Sequence, residues 1–575
     1  MTTATDPQRM ERIVSLCKRR GFIFQSSEIY GGLNGCWDYG PLGVELKRNL
    51  KDYWWRVMVR ERDDVVGMDG SILTHRAVLK ASGHEDTFSD VLRECPFTNK
   101  RVRADQVEPQ NGTIMQYTGA RSPAGWSLNG NFRVLMRPNE HIESFRKRVR
   151  SLVAENKSPK IADRKLEIFK TDGESEGAWR ARSELVNAQL RIPTILQFSV
   201  NVGNVQYEAK ADKIWGDGEA IELVGEEKVG TASESTDFHP ETGCELTEPR
   251  AFNLMFSTQM GASADESSVA YLRPETAQSI FVQFKNVLDT SRKKLPFGIA
   301  QIGKAFRNEI NPRNFTFRSR EFEQMELEYF CRPEQGMELL EYWKEERLKF
   351  YENIGIPRDK LHVLTVPDAD RAFYSKGTFD IEYEFPFGMQ ELEGVAYRTD
   401  YDLKQHQEAS GKPLDYFDEE TKQRFIPHVV EPSAGVDRTV LALLCNAYDE
   451  ETVTDEKGKS ETRIVMRFHP RIAPIKVGVF PLLKNNEQLV AKAREIQAAL
   501  RPHMNVFYDE TGAIGRRYRR QDEAGTPFGI TVDFETLGEK DATLLDTVTL
   551  RHRDSMKQER VRISELSSLL LPLVQ

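Results

Sequence analysis

No CxxC pair occurs anywhere in the 575 residues, and the six cysteines (Cys17, Cys36, Cys95, Cys244, Cys331, Cys445) stand far apart. That scatter argues against a disulfide framework or a thiolate zinc cluster and reads as ordinary reduced thiols. Long apolar runs are missing too. No window approaches the roughly 18 apolar residues of a membrane span, and Met1 to Arg20 lacks the apolar stretch of a secretory signal. The expectation is a cytoplasmic protein without membrane contact. Low-complexity tracts are absent, which leaves little room for disorder. The two commonest phosphate cradles, GxxxxGK[ST] and GxGxxG, are also absent, so a nucleotide would have to be held by other means. Excess positive charge is lacking as well: the formal net charge is -9, which rules out bulk attraction to a polyanion and leaves that task to local patches. Two such patches exist, Arg516-Arg517-Tyr518-Arg519-Arg520 and Arg146-Lys147-Arg148-Val149-Arg150, although either could be a solvated face.

What remains is a chain with 39% hydrophobic and 29% charged residues, long enough for three or four domains. Helical spacing places Leu46, Leu50, Trp54 and Met58 on one apolar stripe, after a turn-rich stretch around Ser26 to Gly32. From about Arg93 to Cys244 the pattern weakens into polar loops, a basic helix near His141 to Val153 and mixed alternation near Ile195 to Tyr207, the mark of an insertion. Regularity returns with two strand-like runs, Phe297 to Ile310 and Phe315 to Phe330, joined across Asn311-Pro312-Arg313-Asn314 as a hairpin. An acidic, turn-prone boundary is expected at Asp449 to Glu461. Beyond it, strand, helix, strand, basic helix and strand alternate from Lys476 to Phe534, as in a βαβ unit with a largely parallel sheet.

In the hairpin, strand alternation would put Arg307 and Glu309 on one face, and Phe322, Gln324, Glu326 and Glu328 on one face of the return strand, with Met325, Leu327 and Tyr329 buried on the other. An arginine, an aromatic ring and carboxylates on one face suit a ligand platform: a guanidinium clamps phosphate, a ring stacks on a purine, and carboxylates hold ammonium or Mg²⁺. A solvated face with ion pairs fits the same pattern. Further on, Gly435-Val436-Asp437-Arg438 opens a helix after a strand-like run, where backbone N–H groups and Arg438 would favour a terminal phosphate. An ordinary strand-turn-helix fits there too.

These segments together resemble the class II aminoacyl-tRNA synthetases. Phe306-Arg307-Asn308-Glu309 with Arg318-Ser319-Arg320-Glu321-Phe322-Glu323-Gln324-Met325-Glu326 is similar to their motif 2, and Gly435-Val436-Asp437-Arg438 to motif 3. Glu28-Ile29-Tyr30-Gly31-Gly32 with Asp38-Tyr39-Gly40-Pro41-Leu42-Gly43 resembles motif 1 in its glycyl version. Tyr271 to Gln278 and Glu431-Pro432-Ser433-Ala434-Gly435 are glycyl-type as well.

The resemblance implies an α+β fold: a catalytic domain built on an antiparallel sheet flanked by helices (1–92 and 246–472), an inserted domain (93–245) in reach of the tRNA acceptor end, and a C-terminal α/β anticodon-binding domain (473–575). It implies a homodimer that takes glycine, ATP with Mg²⁺, and tRNA(Gly). Carried over by position, Arg307 and Arg438 are the catalytic pair. The ATP site would be Arg307, Asn308 and Glu309, Phe317 to Phe322 (Arg318, Ser319, Arg320 and Glu321 between them), Glu391 and Leu392, and Gly435, Val436, Asp437 and Arg438. The glycine site would draw on Arg103, Glu275, Phe322, Glu323, Gln324, Met325 and Glu326, then Glu431, Pro432, Ser433, Ala434 and Gly435. Ligands for Mg²⁺ are not assigned. Two departures stand out: the segment from Gln106 to Leu223 does not match the usual insertion, and Ser279 stands where glycine is expected after Gln278. A non-catalytic relative kept for nucleic-acid binding would have lost the arginines and the stacking ring. A threonyl enzyme would need a Cys/His zinc cluster.

Overall fold

Pro41 occupies the first turn of helix α2 (Pro41–Trp55), where its missing N–H costs nothing. The helix follows α1 (Pro7–Arg20), which Asp6 caps by accepting from the Arg9 N–H. The stripe of Leu46, Leu50, Trp54 and Met58 is buried throughout, and its last member sits in one π-type turn, Arg56–Arg60. The computed structural model describes residues 6–122, 126–155, 175–177, 197–202, 205–210, 220–261, 268–454, 458, 460–539 and 541–575. The chain divides into two compact units, Met1–Phe88 with Leu254–Gln575, and Ser89–Asn253.

In the first unit a seven-stranded sheet carries the site. In chain order its strands are β1 (Val65–Gly67), β2 (Phe297–Phe306), β3 (Glu321–Cys331), β4 (Leu361–Thr365), β5 (Gly377–Phe385), β6 (Gly388–Thr399) and β7 (His428–Gly435). They lie in the order β4-β5-β6-β7-β3-β2-β1, antiparallel except where β1 runs parallel to β2. The register sets Gln301 against Glu326, Glu326 against Ser433 and Gly394 against Ser433, so one pleat crosses four strands. One face packs on α2, α4 (Gly336–Asn353) and α6 (Val436–Ala447) through a large core containing Leu46, Trp343, Met325, Leu327, Val395, Ala434 and Leu441. A second core, with Phe281, Phe284, Phe297, Phe330 and Leu403, seals the far end of the other face beneath α3 (Ala277–Ser291) and α5 (Tyr401–Ser410).

Two expectations for the hairpin are corrected. The first strand ends at Phe306, so Arg307 and Glu309 do not share a strand face; a turn in which the Glu309 N–H donates to the Arg307 carbonyl (2.7 Å) aims them instead. The return strand begins at Glu321, after a 3-10 turn at Phe315–Phe317. The acidic stretch expected as a turn-prone boundary is strand, Tyr448–Thr454 paired with Ser460–Met466, because Glu451 faces Arg463 across the ladder and also bonds Arg467 (2.7 Å).

The C-terminal segment has its own core, including Val479, Leu489, Ala493, Ile496, Leu500 and Ile530. Its sheet is mixed rather than largely parallel: Val477–Pro481 pairs parallel with Val506–Tyr508 and Phe528–Val532, and then Thr547–His552 and Gln558–Arg562 follow antiparallel. The short loop between these last strands leaves no room for a crossover helix. The segment groups with the catalytic sheet rather than apart from it, since buried Arg463 binds Asp522 (2.8 Å) and Arg553 donates to the Phe468 carbonyl (2.8 Å).

In the second unit Gln110–Ser122 pairs with Trp126–Met136, Glu222–Val224 and Glu227–Ser235. The helix Ile142–Ala154 covers them through Phe145 and Val149. The unit is wider at both ends than the 93–245 expected, because Ser89–Glu94 pairs with Arg250–Asn253 and closes it. Gln197–Val202 and Val205–Lys210 form a hairpin in the region of mixed alternation, while Ile195 lies outside the described residues.

Candidate active site

Period-2 alternation decides what reaches the open face of the sheet. From β3 it presents Phe322, Gln324, Glu326 and Glu328, and from β7 Glu431, Ser433 and Gly435. The intervening Met325, Pro432 and Ala434, expected in the glycine set, are buried and turn to the apolar side. Glu323 also turns away: it pairs with Lys47 (2.7 Å) and Lys51 (2.9 Å) of α2, which hold its carboxyl below the usual range although burial opposes them. Leu392 is core for the same reason.

At the end of β2, the Arg307 Nε donates to the Pro274 carbonyl (3.0 Å), and the guanidinium lies 5.3 Å from the rings of both Phe322 and Phe88. Asn308 donates its N–H to the Leu254 carbonyl (2.7 Å). Glu309 is buried, and its Oε2 has no hydrogen-bond partner among the described residues. Arg320 braces this turn, donating to the carbonyls of Glu309 (3.0 Å) and Asn34 (2.7 Å). Buried Ser319 donates to the Thr316 carbonyl, the Arg318 N–H donates to that of Arg313, and Glu321 pairs with Lys304. At the start of α6, Val436 is core. Asp437 accepts from Tyr39, from Lys47 (2.8 Å) and from the Glu323 N–H (2.7 Å). Asp437, expected in the ATP set, therefore ties α6 to α2 and β3 through both of its carboxylate oxygens. One residue on, Arg438 lies over the buried Phe317 ring (4.5 Å) and meets Glu391 (3.5 Å). Asp380, on the same face of β5, has its carboxyl pushed up to about 6 by burial and by neighbouring Glu391 and Glu382.

The other end of the open face is a cluster of carboxylates, Glu326 and Glu328 buried and Glu275 and Glu431 half-buried. Glu326 accepts from Thr276 (2.6 Å) and from Gln324 (3.3 Å), and Gln324 also reaches Ser433 (3.4 Å). Glu275 accepts from Gln278 (2.9 Å) and lies 3.3 Å from His84. Burial works to raise its pKa, but His84 and the Arg398 charge hold it well below the usual carboxylate range. Arg398, from β6, is bidentate to Asp402 (2.8 Å twice) and to Glu431 (3.0 and 3.1 Å). Glu326 goes the other way, pushed up to about 8 by burial and then by Glu431. Carboxylate oxygens of Glu326, Glu328 and Glu431 lie within 4.8 Å of one another. Mg²⁺ wants a near-octahedral oxygen shell with several waters. Here Thr276 and Arg398 already take part of the set, which suits a small ammonium better.

Sequence reasoning missed Arg398, Asp402, His84, Thr276 and Phe88, which come from three separate segments; the spacing of four within the pairs Arg398/Asp402 and His84/Phe88 was the one local signal. Arg103 lies in the second unit, paired with Asp90 (3.1 Å) and Asp105 (2.7 Å). The basic runs are largely consumed internally. Arg517 is buried against the Gly512 carbonyl (2.7 Å), Arg519 and Arg520 pair with Glu461 and Asp509, Arg146 pairs with Glu226 (2.6 Å), and Arg148 with Glu140 (2.7 Å).

Residues 258–447 match the family described as "tRNA synthetase class II core domain (G, H, P, S and T)", and residues 476–572 match "Anticodon binding domain". The glycine--tRNA ligase of Thermus thermophilus is 44% identical, over 98% of this chain and 98% of that protein. Those of Rhodopirellula baltica and Thermobifida fusca are each 43% identical, over 97% and 99% of this chain and 98% of each relative. With that identity over nearly the whole length, a class II core and an anticodon-binding domain in sequence, the chain belongs to the glycine--tRNA ligase family of class II aminoacyl-tRNA synthetases.

Proposed function

We propose that the chain activates glycine with ATP and transfers it to the 3′ end of tRNA(Gly) in the cytoplasm. The observation that carries this reading is the carboxylate cluster itself: buried Glu326 with half-buried Glu275, Glu431 and Ser433, on one sheet face with two arginines, Arg307 and Arg438, that are not bound up in buried ion pairs. Carboxylates hold the amino acid's ammonium, and selection against a side chain falls to the walls around them. The glycine carboxylate attacks the α-phosphorus, the bond to the bridging oxygen breaks, and pyrophosphate leaves. A terminal ribose hydroxyl of the tRNA then attacks the carbonyl of the mixed anhydride, and AMP leaves.

No protein nucleophile is needed, so catalysis is positioning and charge stabilisation. Arg307 takes the α-phosphate and Arg438 the γ-phosphate, Phe322 stacks on the adenine, and the unpartnered Glu309 Oε2 accepts from the adenine amino group. Mg²⁺ would neutralise phosphate charge; the acid-rich edge of Asp380, Glu382 and Glu391 beside Arg438 has the oxygen donors it prefers. The segment 473–575 binds the anticodon end, the unit 89–253 serves the acceptor end, and Arg103 is offered there as a substrate contact. A homodimer is supported by Ile29, Tyr30 and Leu33, which are 88%, 86% and 53% exposed at the motif-1 turn, too apolar a patch for open solvent.

Glycine-dependent exchange of pyrophosphate into ATP tests the reading. The expected result is exchange with glycine and little with alanine or serine; no exchange, or equal exchange with alanine, refutes it.

A further inference from the structure

Glu328 has no part in the chemistry above, yet its surroundings are not those of a structural glutamate. It is 0% exposed on β3, and neither of its carboxylate oxygens has a hydrogen-bond partner among the described residues. Glu326, two residues earlier on the same face, leaves its Oε1 unpartnered as well. The groups that face Glu328 are Glu326 from its own strand, Glu431 from β7, Arg398 from β6 and Asp402 from α5. Arg398 is the single cation among them, and its guanidinium is spent on Asp402 and Glu431. Two carboxylates this close in an interior do not both stay ionised, and their titration belongs to the pair. One proton held between them supplies the O–H donor that the orphaned oxygens lack.

We propose that Glu328 shares one proton with Glu326 in the empty pocket and that the arriving ammonium of the amino acid expels it, which makes Glu328 a positioning and specificity residue for glycine. The inference rests on the glycine-binding reading of this pocket. The balance is simple: the pair enters with one proton and one negative charge, the ammonium binds with its own protons, and one H⁺ leaves for the solvent. The pair then carries two negative charges, matched by the ammonium, whose three N–H donors replace one O–H. A ligand without a cationic head group cannot drive the exchange. Burial and then the Glu431 charge raise both carboxyls, Glu326 to about 8, and Glu326 adds to the rise at Glu328, in keeping with a proton retained at neutral pH. Glycine binding must displace the proton at low pH and need not at high pH, so affinity rises with pH and levels off once the pair is ionised.

The test is calorimetric titration of the full-length protein with glycine at pH 7 in phosphate and in Tris, whose ionisation enthalpies differ. The expected result is about one proton released per glycine bound, with a glycine KM in the exchange assay that falls several-fold from pH 6 to 8 while the ATP KM stays level. Glu328→Gln keeps the volume and can donate an N–H to Glu326. It should abolish the release and flatten the glycine profile, which a merely structural residue would not do. Proton-neutral binding by the wild type at pH 7, or release that persists in Glu328→Gln, overturns the proposal. Should that variant not fold, the wild-type proton count decides alone. A wild type without glycine-dependent exchange overturns the pocket reading and the proposal with it, a result distinct from exchange without proton release.

Discussion

Replacing Arg398 by methionine keeps the bulk of a long side chain and removes the one cation that Glu431 and Asp402 share. All four hydrogen bonds from the guanidinium, two at 2.8 Å and two near 3 Å, are lost inside a site where Arg398 is 3% exposed. Breaking a buried pair by removing one partner costs about 3–5 kcal/mol, because the remaining charge is left uncompensated. For a unit of this size that corresponds to a fall on the order of 3–6 °C in the unfolding midpoint. The sign with pH is fixed. Without Arg398 the folded-state pKa of Glu431, raised already by burial despite that arginine, rises further above its unfolded value. A raised carboxylate destabilises once pH exceeds its unfolded pKa, so the deficit should be small near pH 4.5 and full by pH 8. Unfolding midpoints of wild type and Arg398→Met across that range, with the glycine KM at each pH, measure it. A deficit that is the same at both ends would refute the charge argument, and one below about 1 kcal/mol would show that the pocket does not depend on this arginine for its charge balance.

Arg307→Ala should leave the fold intact, since the side chain makes one hydrogen bond worth about 1 kcal/mol, and should abolish glycine-dependent exchange; normal exchange would sink its assignment to the α-phosphate. Glu326→Ala should cost on the order of 3 kcal/mol, about a hundredfold, in glycine efficiency while the ATP KM barely moves, and Ser433→Ala only about 1 kcal/mol. Ile29→Asp with Tyr30→Ser should shift the sedimentation coefficient at micromolar concentration from dimer to monomer; an unchanged coefficient would place the dimer contact elsewhere.

Local pattern determined a good deal. The four-residue spacing of Leu46 to Met58 and of Leu489 to Leu500 depends only on helix pitch, and both stripes are buried as read. The hairpin, the start of α6 at Val436 and the strand alternation that aims Phe322, Gln324 and Glu326 into one space are also consequences of short-range geometry. Tertiary structure decided which charges are used. Asp437 looks free to meet a nucleotide in a four-residue motif, but Tyr39 and Lys47, some 390 positions earlier, consume it. The arginine-rich run at Arg516 to Arg520 looks like a polyanion patch, yet Arg517, Arg519 and Arg520 are tied to the protein itself. The glycine pocket was half legible: its carboxylates stand in recognisable segments, whereas Arg398, Asp402 and His84, which set their charge states, do not. The physical reason is range. Periodicity is written in neighbours three or four residues apart, while burial and ion pairing depend on which distant segments fold against each other, and those decide whether a charged side chain is a ligand, a brace or a held proton.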